Sequence, residues 1–176
     1  MLAALLLLPL LIACTPAKDR RSFGTVIDDQ TLEVKVIDAL FTKPEFDTGD
    51  HIKIEVHRGV VLLAGEVKNE RNKVLATETA AAVKGVERVV NELAVMPVAD
   101  AGGRLNNSYI TSKVNTKLTL SDPVSGMDAT RIKVISARGT VYLMGTLSRA
   151  DGEAVAEIVR NTGGVKKVVK VFDYTD

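Results

Sequence analysis

The sequence predicts an α+β protein of two tandem αββαβ units, each a three-stranded mixed sheet with two helices on one face. Three observations carry this. The chain repeats itself: Ile52–Gly65 (IKIEVHRGVVLLAG) aligns with Ile132–Gly145 (IKVISARGTVYLMG) at an offset of 80 residues. Lys53/Lys133, Arg58/Arg138, Gly59/Gly139, Val61/Val141 and Gly65/Gly145 are identical pairs. Within each copy the apolar spacing passes from a helical rhythm to strict alternation and back. The 176 residues also leave each copy roughly 65–75 residues, near the lower size limit for an independent core, so the two units are expected to pack on each other.

The chain opens with residues 1–13, MLAALLLLPLLIA, which carry no charge. A spanning helix needs about 20 apolar residues, so this run is too short and fits the apolar core of a secretory signal. It ends in Leu11-Ile12-Ala13-Cys14, which resembles a bacterial lipobox, where diacylglycerol is attached to the thiol and the chain is cut before it. Signals open with Lys or Arg, and none precedes Cys14 here, so the start codon is expected upstream. Each buried methylene of an acyl chain contributes about 0.8 kcal/mol, so several chains on Cys14 would hold the protein on a membrane without a span. Thr15 follows the cysteine. In Gram-negative lipoproteins Asp at that position retains proteins at the inner membrane, so the resemblance implies the outer membrane. Residues 14–27 are expected to form a tether.

The first unit is expected over residues 28–96. Leu32, Val36, Ile37 and Leu40 recur at helical spacing and predict one buried face. Asp28, Asp29 and Glu33 are expected to cap this helix rather than bind calcium. Ile52, Ile54 and Val56 alternate as a half-buried strand, Arg58-Gly59 forms a tight turn, and the return strand runs to about Val67. A second helix over about 69–83 is rich in Ala, Val and Leu; Gly85 suits its C-terminal cap. Residues 86–95 form the last strand. Residues 97–107 (PVADAGGRLNN) read as a linker. The second unit, 108–175, repeats the order, with Ile110, Val114 and Leu118 as the helical stripe and a longer polar loop over 121–130.

Each unit resembles a BON domain. The residues carrying this are Ile52-Lys-Ile, Gly59-x-Val-x-Leu-x-Gly65 and Gly85-Val-x-x-Val-Val-Asn91, then Ile132-Lys-Val, Gly139-x-Val-x-Leu-x-Gly145 and Gly164-Val-x-x-Val-Val. Two copies behind a lipobox resemble the dual-BON outer-membrane lipoproteins. That resemblance implies a periplasm-facing, lipid-anchored protein, enriched at division sites, that binds anionic phospholipid through the first helix of its second domain. Phosphatidylglycerol and cardiolipin are the lipids it implies.

Charge divides between the units in the same sense. Residues 24–96 hold nine Lys and Arg against thirteen Asp and Glu, net −4, while 108–176 hold ten against seven, net +3. A basic surface near anionic headgroups gains about 1 kcal/mol per Lys or Arg. Tyr109, Lys113, Lys117 and Leu120 fall at i, i+4, i+8 and i+11, on a face beside the core stripe. An amphipathic aromatic, two ammonium groups and a leucine suit a membrane interface. The first unit has Thr31, Lys35 and Ala39 at those positions, with Glu33 and Asp38 nearby, and is expected to repel an anionic bilayer. The family often carries Trp where Tyr109 stands.

Other classes find less support. His51 and His57 lack a third ligand and are expected at the surface, so no metal is expected. Arg58 and Arg138 are expected to be structural, and Lys166-Lys167 extends the basic surface. Gly163-Gly164 follows a helix instead of opening one, so it is no phosphate loop. Export and an acidic first unit disfavour nucleic acid. No nucleophile–base pair is legible, so neither an enzyme nor a cofactor is expected. The second reading is a non-catalytic adaptor for outer-membrane assembly or division machinery, docked through the acidic first unit.

Overall fold

The computed structural model describes residues 23–47, 49–121, 123 and 132–176. The predicted signal, Cys14 and most of the tether lie outside the described residues, as does most of the loop before Ile132. The first unit runs α1 (Phe23–Phe41), β1 (His51–His57), β2 (Val60–Val67), α2 (Glu70–Ala81) and β3 (Arg88–Val95). The second runs α3 (Ala101–Ser121), β4 (Ile132–Ala137), β5 (Thr140–Leu147), α4 (Arg149–Arg160) and β6 (Lys167–Tyr174). Each unit is thus αββαβ. In both sheets the middle strand pairs antiparallel with the first and parallel with the third, β1-β2-β3 and β4-β5-β6.

Both hairpins close through a two-residue turn in which both central residues have positive φ. The values are 49° and 75° at Arg58-Gly59, and 52° and 79° at Arg138-Gly139. That is the twist-matched turn of short hairpins, and glycine adopts it without steric cost. An arginine there is held by its surroundings. In the first unit the buried Asp29 carboxylate accepts from the Arg58 amide at 3.0 Å and faces the Gly59 amide at 3.4 Å. In the second, buried Asn107 Oδ1 accepts from the Gly139 amide at 3.3 Å.

These contacts correct three expectations. Asp29 and Glu33 do not cap α1, because the helix starts at Phe23, inside the predicted tether. Asp29 holds the β1–β2 turn, and Glu33 Oε2 accepts from the Val56 amide at 3.3 Å. Residues 101–107 are helical rather than a linker. Glycine costs a helix interior about 1 kcal/mol relative to alanine. Asp100 offsets that at the N-terminus, its Oδ1 accepting from the Gly103 amide at 2.7 Å, while Asn107 ties the first turns to the hairpin below.

Leu32, Val36 and Leu40 of α1 bury against Val56, Val61 and Leu63 with Ala76 and Ala80 of α2. Ile37, expected in that stripe, is more than a third exposed. Ile110, Val114 and Leu118 of α3 bury with Val141, Leu143, Val155 and Val159. The helices cover one face of each sheet, and the remaining faces meet. Leu62 and Ala64 pack with Ile135, Ala137, Tyr142, Met144 and Val171 in a third apolar cluster. This explains why β2 (VVLLAGEV) and β5 (TVYLMGTL) are apolar nearly throughout: a strand covered on both faces has no solvent side.

Polar groups frame that inter-unit layer. Lys53 Nζ donates to the Ser136 carbonyl at 2.7 Å, and Lys133 pairs with Glu55 and lies 3.8 Å from Glu33. Arg138 lies 3.6 Å from the buried Glu66, whose other oxygen is 3.1 Å from His51 Nδ1. Arg58 lies 3.7 Å from Asp173. The expected structural role of both arginines thus takes the form of contacts between the units. His57 is not a surface residue. It is buried, with Nε2 3.0 Å from Thr146 Oγ1 of β5, because its side of β1 faces the second sheet.

Candidate functional site

α3 places its predicted site residues as follows. At about 100° per residue, Ile110, Val114 and Leu118 define the buried side. Tyr109 and Leu120 point away from it, 63% and 81% exposed. Leu105 joins them at 72% exposed. Together with Thr116 and Lys113 they fall within an arc of about 80°, and Leu105 to Leu120 spans about 22 Å along the axis. Leu105 went unrecognised in the sequence because its segment read as linker. Its i, i+4 relation to Tyr109 was the available signal.

The two lysines are more closely engaged than spacing alone implied. Lys113 Nζ lies 5.2 Å from the centroid of the Tyr109 ring, within cation–π range, and donates to the Gly163 carbonyl at 3.1 Å. Lys117 Nζ donates to the Asn161 carbonyl at 2.7 Å. Asn161 is the C-cap of α4, so both ammonium groups sit at the negative end of that helix and satisfy carbonyls past its last turn. The lysines therefore edge the apolar face on its α4 side instead of lying within it.

The result is an exposed helix surface with three apolar or amphipathic side chains outside the core, rimmed by two fixed positive charges. Full burial of a leucine-sized side chain is worth about 1.5–3 kcal/mol, so even partial insertion of three such groups into an apolar layer is a sizeable driving force. Among the described residues no helix is long and apolar enough to cross a membrane. None of their His, Cys, Asp and Glu side chains group in a way that could hold a metal.

α1 of the first unit differs in a way the sequence reading did not anticipate. Val34, Ile37 and Phe41 form an exposed apolar stripe at i, i+3 and i+7. No pair of lysines rims it; Glu33, Lys35 and Asp38 are the nearest charges along the helix.

Two αββαβ units with matching turns, helix stripes and sheet order define a tandem-domain α+β module. Both units match the BON domain model, over residues 28–97 and 106–176, and the chain belongs to the BON family. It is 38% identical over 165 residues to the outer membrane lipoprotein DolP of Haemophilus influenzae (strain ATCC 51907 / DSM 11121 / KW20 / Rd), covering 94% of this chain and 84% of that one. It is 35% identical over 156 residues to a 21 kDa hemolysin of Actinobacillus pleuropneumoniae, covering 89% and 79%. The chain is accordingly an outer-membrane lipoprotein of the BON family. A solved structure of CdsD, a structural protein of the type III secretion system of Chlamydia trachomatis, aligns at 12% identity and a TM-score of 0.30, covering 81% of this chain and 91% of its own. That likeness is too slight to bear on function.

Proposed function

We propose that this protein is a non-enzymatic membrane-binding module of the outer-membrane inner leaflet, anchored through Cys14, whose second domain binds anionic phospholipid through α3. One observation carries the reading: Leu105, Tyr109 and Leu120 project together from the basic domain, outside any core, with Lys113 and Lys117 at their edge. Apolar groups flanked by ammonium groups are what an interfacial helix presents to acyl chains and headgroups. The anchor and α3 act as two linked contacts, so each raises the effective concentration of the other at the bilayer. Phosphatidylglycerol and cardiolipin are the anionic lipids to test first, and enrichment at division sites is the cellular role to test.

The experiment is vesicle flotation of the chain lacking residues 1–14, with neutral vesicles and with vesicles containing phosphatidylglycerol. Binding to the anionic vesicles alone supports the reading, and equal or absent binding in both rejects it. The anchor is tested separately. Cys14→Ala should leave an unlipidated precursor that no longer fractionates with the outer membrane, and unchanged fractionation would reject the anchor.

A second reading is favoured by the α1 stripe. Val34, Ile37 and Phe41 on the acidic domain would suit an adaptor that docks a protein of the assembly or division machinery. Val34→Ser with Phe41→Ser should then leave vesicle binding unchanged and abolish the cellular phenotype of the protein. An intact phenotype removes this reading.

A further inference from the structure

We propose that the groove between α3 and the edges of β1 and β4 is a binding site for an extended, uncharged peptide segment. It does not depend on the lipid reading, although Thr116 and Leu120 border both surfaces. The groove has a volume of about 940 Å³. Its α3 wall is Ser108, Thr111, Ser112, Asn115, Thr116 and Thr119, six uncharged polar side chains, with Leu120 beside them.

The hydrogen bonding of that wall selects the ligand. The hydroxyls of Ser108, Thr111, Thr116 and Thr119 donate to carbonyls four residues back, at 3.2, 3.1, 3.0 and 2.9 Å. Their protons are committed while their lone pairs remain available. Four such acceptors suit amide N–H groups, and the Asn115 side chain offers a peptide both a donor and an acceptor. Charge points the same way. Lys53 and Glu55 line the groove with one charge of each sign, the first held by the Ser136 carbonyl and the second by Lys133, so the lining carries no net charge to select an ionic ligand.

The floor supplies backbone. Residues flanking a two-residue turn form a hydrogen-bonded pair, here His57 with Val60 and Ala137 with Thr140. Alternation then turns the amide and carbonyl of Ile54 and of Val134 away from their partner strands. Both residues line the groove, and β1 and β4 are edge strands of their sheets. An open edge is a template for an added strand. Ser136 supplies a further unmet group. It lines the groove at 0% exposure, and its Oγ has no hydrogen-bond partner among the described residues. A ligand amide would satisfy it.

The probe is a random linear peptide library displayed on phage, panned against the lipid-free chain lacking residues 1–14. Enriched sequences are then synthesised and measured by fluorescence anisotropy. Uncharged, strand-forming peptides are expected. Asn115→Lys, at an exposed position, should weaken them about tenfold or more, because it sets a charge against an uncharged ligand. Ser136→Ala should weaken them more modestly and leave the fold intact, while Lys113→Gln with Lys117→Gln should leave them unaffected. Vesicle binding should not fall in Asn115→Lys, since added positive charge favours anionic lipid, and this separates the two readings. The proposal is overturned by three outcomes: no enrichment, enriched peptides indifferent to both Asn115→Lys and Ser136→Ala, or displacement of bound peptide by short-chain phosphatidylglycerol. Loss of vesicle flotation alone would overturn only the lipid reading.

Discussion

Lys117 Nζ donates to the carbonyl of Asn161 at 2.7 Å, so a lysine on the proposed lipid-binding helix also completes the C-terminus of α4. Charge reversal at this position therefore acts on two things at once. Lys117→Glu would place a carboxylate at the negative end of a helix, and it should destabilise the second domain by about 1 kcal/mol. Lys117→Gln keeps a donor and removes only the charge. The pair Lys113→Gln and Lys117→Gln should melt close to wild type and lose most anionic-vesicle binding. If this variant floats as wild type does, the lysines serve α4 and not the membrane.

The apolar part of the surface is tested without touching charge. Leu105→Ala, Tyr109→Ala and Leu120→Ala should each leave thermal stability within about 0.5 kcal/mol of wild type, because the side chains are exposed. Each should weaken vesicle binding, and the three together should abolish it. Tyr109→Trp should strengthen binding through greater interfacial area. Rising salt should weaken what remains, since screening shortens the reach of exposed charge to about 10 Å at 0.1 M. Equal flotation of the triple variant would remove α3 as the insertion surface.

The turn glycines should be intolerant of side chains in both domains. A Cβ on Gly59 would meet Glu87 Cγ at 2.8 Å and the Gly85 carbonyl at 3.2 Å; on Gly139 it would meet Lys166 Cδ at 3.0 Å. Both also hold positive φ, which a β-branched residue resists. Gly59→Val and Gly139→Val should each cost about 1 kcal/mol or more. Gly65→Ala should be worse, since its Cβ would lie 2.0 Å from the His51 carbonyl oxygen, a backbone atom that cannot swing aside. Thermal melts rank the three, and a Gly65→Ala chain as stable as wild type would contradict the packing described for β1 and β2.

Asp29 should matter more than an exposed N-terminal cap would. Asp29→Ala leaves the Arg58 and Gly59 amides without their carboxylate and should cost about 1–3 kcal/mol, because hydrogen bonds to a charged acceptor are the stronger kind. Asp29→Asn, which matches Asn107 of the second unit, should restore much of that loss. Urea melts of the two variants compare them directly, and equal stability would mean the turn does not depend on this contact.

The interface between the units carries a pH signature. Burial, and after it the neighbouring Glu55 charge, holds the Glu33 carboxyl above its ordinary value of 4.5. The folded chain therefore binds more protons at this site than the unfolded chain from pH 4.5 up to the raised value. Its contribution to stability is full below that window and is lost as pH rises through it. Glu33→Gln removes the titration, so its stability relative to wild type should climb across the same window. A difference that stays flat with pH would show that Glu33 does not titrate this way.

The repeat, the helical stripes and the alternation at Ile52, Ile54 and Val56 were legible in the sequence because each depends on local spacing. A residue's position in a helix or strand decides which face it takes, and the two copies confirmed each other. The helix over 101–107 escaped notice because Gly102 and Gly103 weigh against helix, while the Asp100 cap and the Asn107–Gly139 bond that offset them are not visible in composition. Those failures have one physical cause. Asp29 meets Arg58, His57 meets Thr146, and Lys117 meets Asn161 across 29, 89 and 44 residues of chain. Such pairings depend on how finished elements pack, and hydrophobic periodicity says nothing about the partner of a polar side chain. The sequence by itself determined two BON units, a basic second domain and a candidate face on its first helix. Only the tertiary structure decided that the second face of each sheet is spent on the other domain, that Leu105 extends the exposed face, and that both lysines are tied to the end of α4.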